Sequence, residues 1–375
     1  MKKLLVIVFA FVSTTIFSQA NAHDLIICKS TDGMNWTNNA LLQDSSGVPS
    51  IAQSTTGVIY CAFQWFPAPA TPTNPSHDKI AIKQSSDGGL TWSAPVLANF
   101  IGFPGTYKRP FDPTVVLADN GNIRMYFSSS KTGTLMALDS TVHCYSAISP
   151  DGINYTYEGV RVLVKDSITI DPAVAKFGAT WHYTAPRAAP QDGAHHFISA
   201  DGMAWTRTTT IASNFNRNWT GNLFTDGSTL NFYGTPNPWT NQIWRNQTMD
   251  GFTWAGYVNC VGPVTSASIQ ADPAVFKVGT ANYIMVYCSK QSLLSVNENL
   301  LSNLSVNIYP NPNANQINIK TEEKISSTKI FDANGKLIYS QQSSNKTIET
   351  HLQAGLYTIE IETEKGKAIR KLIIE

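Results

Sequence analysis

The sequence predicts an all-β chain: a five-bladed β-propeller followed by a small antiparallel, immunoglobulin-like β-sandwich. Three observations predict it. A Ser/Thr-x-Asp-Gly-x-x-aromatic box recurs five times, short strands opening with Asp-Pro fall between the boxes, and the texture of the chain changes near residue 293. The expected organisation is a signal peptide over 1–22, the propeller over 23–292, a linker over 293–303 and the C-terminal domain over 304–375.

The N-terminus, MKKLLVIVFAFVSTTIFSQANA, places two lysines before an apolar run and Ala20-Asn21-Ala22 after it. That order reads as a secretory signal peptide cleaved after Ala22. Ser13, Thr14, Thr15 and Ser18 interrupt the apolar run, which makes it short for a spanning helix. No later segment is long and apolar enough to cross a bilayer as a helix, so no transmembrane segment is expected in the mature chain. Formal net charge is +1 and only 14% of residues are charged. This composition argues against electrostatic capture of nucleic acid or of an anionic membrane. Nine tryptophans and 11% aromatics suit an extracellular β protein that handles sugar.

The boxes are Ser30–Trp36, Ser86–Trp92, Ser149–Tyr155, Ser199–Trp205 and Thr248–Trp254. Their aspartates, Asp32, Asp87, Asp151, Asp201 and Asp250, are separated by 55, 64, 50 and 49 residues. A repeat near 50 residues with four short strands is a propeller blade. Asp-Gly makes the tight turn, since glycine tolerates the positive φ required there. A box present in every blade is expected to be structural rather than a ligand site.

Inner strands open at Asp112-Pro113, Asp171-Pro172 and Asp272-Pro273, with degenerate copies at Val48-Pro49 and Gly221-Asn222. The first box precedes the first inner strand, and no box follows the last. The ring therefore closes with mixed ends: residues 272–290 supply two inner strands and residues 24–40 the two outer ones, pairing an otherwise open edge. The five cysteines are too few and too scattered for a disulfide framework or a zinc site. Cys28 and Cys288 fall on neighbouring strands of the mixed blade, and a bridge between them is one expectation. No metal and no cofactor are expected.

After the linker come Tyr309-Pro310-Asn311-Pro312, the hairpin Asp332-Ala333-Asn334-Gly335-Lys336, the strand Gly355-Leu356-Tyr357 and a closing Arg370–Glu375. Period-two alternation between turns argues a small sandwich. These motifs, in this order, resemble the type A sorting domain of Bacteroidota type IX secretion substrates. The resemblance implies passage through the periplasm, delivery by the type IX machinery to the cell surface or medium, and no chemistry in the tail itself.

Chain direction assigns the two faces of the propeller. Inner strands begin on one face, and the loops between second and third strands return to it; the boxes lie on the other. Asp112, Asp171 and Asp272 are thus the candidate catalytic carboxylates at one channel mouth. Arg109, Trp65, His143, Arg187, Trp219 and Trp239 are candidate substrate-binding residues around it. Paired carboxylates perform glycosidic acid/base chemistry, and flat indoles stack on sugar rings. An Asp before Pro also organises a strand start by itself. His143, His182, His195 and His196 are expected to be surface or hydrogen-bonded histidines rather than catalytic ones.

The segment His143–Gly152 followed by Tyr155, together with Asp112-Pro113 and Ile170–Val174, resembles the five-bladed arabinanases, β-xylosidases and invertase-type fructosidases. The resemblance implies Asp112 as general base and Asp171 as orienting carboxylate. It also implies a general-acid glutamate opening the next blade, where this chain has Thr220-Gly221-Asn222. Glu158 is the single glutamate of the propeller and lies on an outer strand. Two functions follow as expectations: a secreted glycoside hydrolase-like protein in which Asp272, or a loop aspartate such as Asp192, donates the proton in place of that glutamate, or a non-catalytic propeller that binds glycan or protein.

Overall fold

The computed structural model describes residues 23–68, 74–131, 142–164, 167–187, 193–213, 217–236, 240, 242–263, 270–280, 282–290, 306–312, 316–332, 336–349, 351–364 and 366–374. Every regular element among them is a strand. No helix there is long and apolar enough to cross a membrane. The chain divides into two compact units, residues 1–292 and 293–375.

The first unit opens with β1 (His23–Ser30) and β2 (Thr37–Gln43). Blade 1 follows as β3 (Ser46–Gln53), β4 (Ile59–Trp65), β5 (Lys79–Ser85) and β6 (Val96–Leu97). Blade 2 holds β7 (Asn99–Ile101), β8 (Phe111–Leu117), β9 (Ile123–Ser130), β10 (Val142–Ser149) and β11 (Asn154–Val162), with β7 added in parallel at its outer edge. Blade 3 is β12 (Ala173–Phe177), β13 (Thr180–Pro186), β14 (Ala194–Ser199) and β15 (Thr206–Arg207). Blade 4 is β16 (Asn218–Asp226), β17 (Thr229–Thr235), β18 (Trp244–Thr248) and β19 (Val258–Asn259). The last pair, β20 (Gln270–Val278) and β21 (Asn282–Lys290), joins β1 and β2 in the order β2-β1-β21-β20. The mixed closure is therefore as the repeat count predicts.

The inner strands β3, β8, β12, β16 and β20 neighbour one another in a closed ring. All five contribute to the wall of a central cavity of about 340 Å³. The unit is a five-bladed propeller. Its core lies between blades, where alternate residues of twisted sheets interdigitate. One such layer joins Phe63 and Ala81 of blade 1 to Leu25, Val286 and Cys288 of the mixed blade.

The boxes stitch neighbouring blades together. In four of them the Ser or Thr hydroxyl accepts the glycine N–H, as Ser199 does from Gly202 at 2.9 Å; in the second box Ser85, not Ser86, plays this part, accepting from Gly89 at 2.8 Å because the extra glycine lengthens the turn by one residue. The carboxylate accepts two backbone amides, Met203 at 2.8 Å and Ala204 at 3.0 Å for Asp201. The Ala204 and Met203 amides hold Asp201 down at about 2. Each box glycine then packs on the second strand of the preceding blade. Gly33 meets Tyr233, Gly89 meets Ile284, Gly152 meets Tyr60, Gly202 meets Tyr126 and Gly251 meets His182. At Gly152, with φ +72°, an added Cβ would lie 2.1 Å from the Tyr60 ring. Gly152→Ala is therefore expected to destabilise the propeller by about 2–4 kcal/mol through strain and overpacking. Thermal unfolding checks this; a variant melting with the parent would show that the stitch is slack.

The cysteine expectation fails on register. Leu25, not Cys28, faces Cys288 across the β1–β21 ladder, and Cys28 faces Met285. Three residues is an odd offset, so the two thiols lie on opposite faces of the sheet. All five cysteines are free and buried.

The second unit holds β22 (Asn307–Tyr309), β23 (Gln316–Lys320), β24 (Ile325–Phe331), β25 (Leu337–Gln341), β26 (Thr347–Glu349), β27 (Gly355–Thr363) and β28 (Gly366–Ile374). They form sheets β22-β23-β26 and β25-β24-β27-β28. Ile317, Ile319, Ile330, Ile359 and Leu372 pack in one core between them. The Tyr-Pro-Asn-Pro segment pins the last strand, because Asn311 donates to Lys371 O and accepts from the Ile373 amide, both at 2.8 Å.

Candidate functional site

The three strand-opening aspartates share one backbone device. Asp112, Asp171 and Asp272 have φ of 49°, 49° and 48°, and Val48 opens blade 1 with the same φ of 49°. Each precedes a proline. The left-handed residue and its proline bulge out of the ladder, which shifts register between Phe111 and Thr114 and between Ala271 and Ala274. Aspartate tolerates this conformation; the β-branched Val48 is an outlier that its surroundings must impose. Blade 4 departs from the pattern, with Gly221 at φ 149°.

The carboxyls sense one another. Burial pushes Asp112 up to about 7, and the charge of Asp272 adds to the shift; the Asp171 amide and Lys108 oppose it. Burial raises Asp171 well above the usual carboxylate range, reinforced by Asp112 and then Asp272. Burial also raises Asp272, against the Thr220 hydroxyl and the Cys288 thiol. Three carboxyls this close cannot all ionise readily. Each residue stays partly exposed, so the cluster is reachable from outside. Among the described residues no group of three His, Cys, Asp or Glu side chains is placed to hold a metal ion.

One layer deeper, the channel is bridged. Asn222 donates to Pro49 O at 3.1 Å and accepts from the Ser50 hydroxyl at 3.2 Å, while Ser50 accepts the Val115 amide at 3.0 Å. Thr114 donates to Pro172 O between blades 2 and 3. The blade-4 residue that follows the bulge thus ties three inner strands behind the aspartates.

Other candidates fare differently. Arg109 is held by Asp78, through an ion pair and a bond from its Nε to the Asp78 carbonyl, and Gln64 also donates to Asp78. Asp78 ends the β4–β5 loop, so this pairing brings that loop to the face where β8 begins. Trp65, at the end of β4, is partly buried against the blade-1 core. His143 is buried at the start of β10, opposite Ser129. Arg187 is exposed just past β13, and its amide donates to Gly193 O at 3.0 Å.

Trp219 is a core residue, not a rim residue. It is 1% exposed, lies 4.4 Å from Phe232 between ring centroids, and donates to the Tyr257 hydroxyl at 3.1 Å. Its ring fills the layer between blades 3 and 4 and offers no face to a ligand. Trp239 and Asp192 lie outside the described residues.

The histidines of blade 3 are all buried. His182 and His196 stack with their nitrogens 3.0 Å apart beneath Phe252, and burial lowers both to about 4. Burial, with Arg207 and Arg187 beside it, lowers His195 to about 4 as well. Glu158 is spent on the box face: it pairs with Arg124 at 3.0 Å and accepts from Ser146 at 2.7 Å. Sequence reading sets Asp78 on this face, at the end of the first loop between second and third strands, but misses its pairing with Arg109; Lys108 it passes over, and its place just before Arg109 is the available signal.

No curated protein matches the chain. Among solved structures, a Hadza microbial sialidase is 14% identical, with a TM-score of 0.48 over 71% of this chain and 59% of its own length. An α-L-arabinofuranosidase from Lactobacillus brevis is 12% identical, with a TM-score of 0.47 over 80% of this chain and 95% of its own. A protein of unknown function from Dyadobacter fermentans is 12% identical, with a TM-score of 0.45 over 94% of this chain and 98% of its own. Residues 307–375 match the family described as the secretion system C-terminal sorting domain, which implies export by type IX secretion to the cell surface or the extracellular space.

Proposed function

We propose that the propeller is a carbohydrate-acting domain that hydrolyses an extracellular glycan at the mouth ringed by Asp112, Asp171 and Asp272. Residues 1–22 act as its signal peptide and the tail as its route across the outer membrane. The observation that carries the reading is the trio of mutually sensing carboxyls, reachable from solvent and all raised above the usual carboxylate range, Asp112 to about 7. Glycosidic hydrolysis needs this mixture of states. A protonated carboxyl gives its proton to the glycosidic oxygen as the C–O bond breaks. An ionised one takes a proton from the water that attacks the anomeric carbon. Arg187 and Trp65 are the proposed contacts for sugar hydroxyls and ring faces.

A second reading rests on a specific feature. Thr220-Gly221 opens blade 4 where a carboxylate acid is expected, and Asp78 already neutralises Arg109. A propeller so built binds glycan without cleaving it. A panel of plant and host glycans, assayed for both retention and released sugar, separates the two. For a hydrolase, Asp112→Asn and Asp272→Asn are expected to cut turnover at least ~10²-fold with unchanged melting temperature. For a binder the parent releases no sugar and the variants lose retention. Variants that bind and turn over like the parent would move the site elsewhere.

A further inference from the structure

We propose that Asp171 is the member of the trio that carries the proton, because blade 3 places Pro186 where the ladders set a serine beside Asp112 and a cysteine beside Asp272. Assigning Asp171 as the acid of glycan hydrolysis rests on the reading above; the site of the proton does not.

The ladders fix the comparison. In blade 2, Thr114 pairs with Tyr126, and across the bulge Phe111 pairs with Ser128. In the mixed blade, Ala274 pairs with Val286, and across the bulge Ala271 pairs with Cys288. The residue two places past the partner therefore stands beside the bulged aspartate. In blade 3, Ala173 pairs with Thr184, and two places on is Pro186. Proline offers neither an N–H nor a side-chain donor. Accordingly β12 begins only at Ala173, whereas β8 and β20 begin before their aspartates.

The partners act as this placement requires. The Cys288 Sγ lies 3.9 Å from Asp272 Oδ2 and accepts the Val48 amide at 3.2 Å. Burial, and then Asp272 itself, keep that thiol protonated well above its ordinary range, so it stays a donor. The fully buried Ser128 hydroxyl faces Asp112 and lowers it, and Thr220 does the same for Asp272, though neither completes hydrogen-bond geometry. Lys108 acts on Asp112 as well. The groups that act on Asp171 are Asp112 and Asp272, and both favour its neutral form. Tyr183 of β13 also senses it, and burial holds that phenol well above its ordinary range, hence neutral.

Coupled carboxyls ionise first where donors or cations support the anion, and that charge then holds the proton on the unsupported one. Asp272 and Asp112 ionise ahead of Asp171. The proton that a blade-4 carboxylic acid would bring is already present, one blade earlier. Pro186, Ser128 and Cys288 are positioning residues in this scheme.

The test is a carbon-13 titration of the full mature chain labelled at aspartate Cγ. Asp171→Asn is expected to erase the highest midpoint. Pro186→Ser, which supplies the missing hydroxyl, is expected to lower that midpoint by about one unit. Cys288→Ala is expected to raise the Asp272 midpoint. Where sugar is released, the alkaline limb of kcat/KM should move to lower pH in Pro186→Ser, since the acid must stay protonated. A highest midpoint that survives Asp171→Asn, or that ignores Pro186→Ser in a folded protein, overturns the assignment. If Pro186→Ser does not fold, Asp171→Asn and Cys288→Ala decide it. The expected titration with no sugar released from any glycan supports the proton assignment and removes the hydrolase reading.

Discussion

Removing residues 304–375 is expected to abolish export and leave a folded propeller in the periplasm. The residues that match a sorting domain form sheets of their own, β22-β23-β26 and β25-β24-β27-β28, and among the described residues no sheet draws strands from both units. Their core is their own too: its members run from Val306 to Ile374, whereas the five propeller clusters end at Cys288. The truncation therefore removes no blade strand and exposes no blade ladder. With the sorting signal gone and the proposed signal peptide of residues 1–22 intact, the product should cross one membrane and stop. Fractionation of the native host checks location, and thermal unfolding of the purified product checks the fold. Truncated protein reaching the medium as efficiently as the parent would sink the sorting assignment.

What the sequence made legible is what backbone chemistry writes into it. The boxes read clearly because each of their parts meets a local demand: a hydroxyl for the glycine N–H, a carboxylate for two amides, a glycine for positive φ. The mixed blade followed from counting, since a ring of paired edges has one consistent closure. The Asp-Pro openings read clearly as well, though not their left-handed backbone. What stayed hidden depends on register across a bulge. Trp219 lies two residues before Gly221, and the extra residues of the bulge decide whether its ring faces the mouth or the core. Cys28 and Cys288 were placed on the correct pair of strands and missed by an odd offset. Arg109 looked like a ligand contact because its partner Asp78 comes from a loop 31 residues earlier. The significance of Pro186 depends on aligning three ladders, which one-dimensional spacing does not supply.

Deleting residues 23–36 from the mature chain is expected to destroy the fold, although these residues hold none of the candidate site. β1 lies between β21 and β2, and pairs with β21 without a break from His23–Lys290 to Ser30–Tyr283. Its loss strips one edge of β21 and leaves β2 without a partner, exposing a row of backbone donors and acceptors. Leu25 and Cys28 are fully buried, Ile27 is 8% exposed and Trp36 is 3% exposed. Burying each large side chain is worth about 1.5–3 kcal/mol, so together they rival the roughly 5–15 kcal/mol that typically holds a domain folded. The segment also ties blade 4 to the mixed blade. The Trp36 amide donates to Val261 O at 2.9 Å, the Val261 amide donates to Met34 O at 2.8 Å, and the Tyr233 hydroxyl donates to Gly33 O at 3.0 Å. A chain starting at residue 37 should be recovered as aggregate, whereas one starting at residue 23 should be soluble and melt cooperatively. A cooperative melt of the shorter chain near the parent temperature would mean that four blades and a two-stranded remnant hold the ring by themselves. Stability would then reside in the inner strands rather than in closure, and the wall that carries Asp272 and Cys288 would need no help from the N-terminus to stay in place.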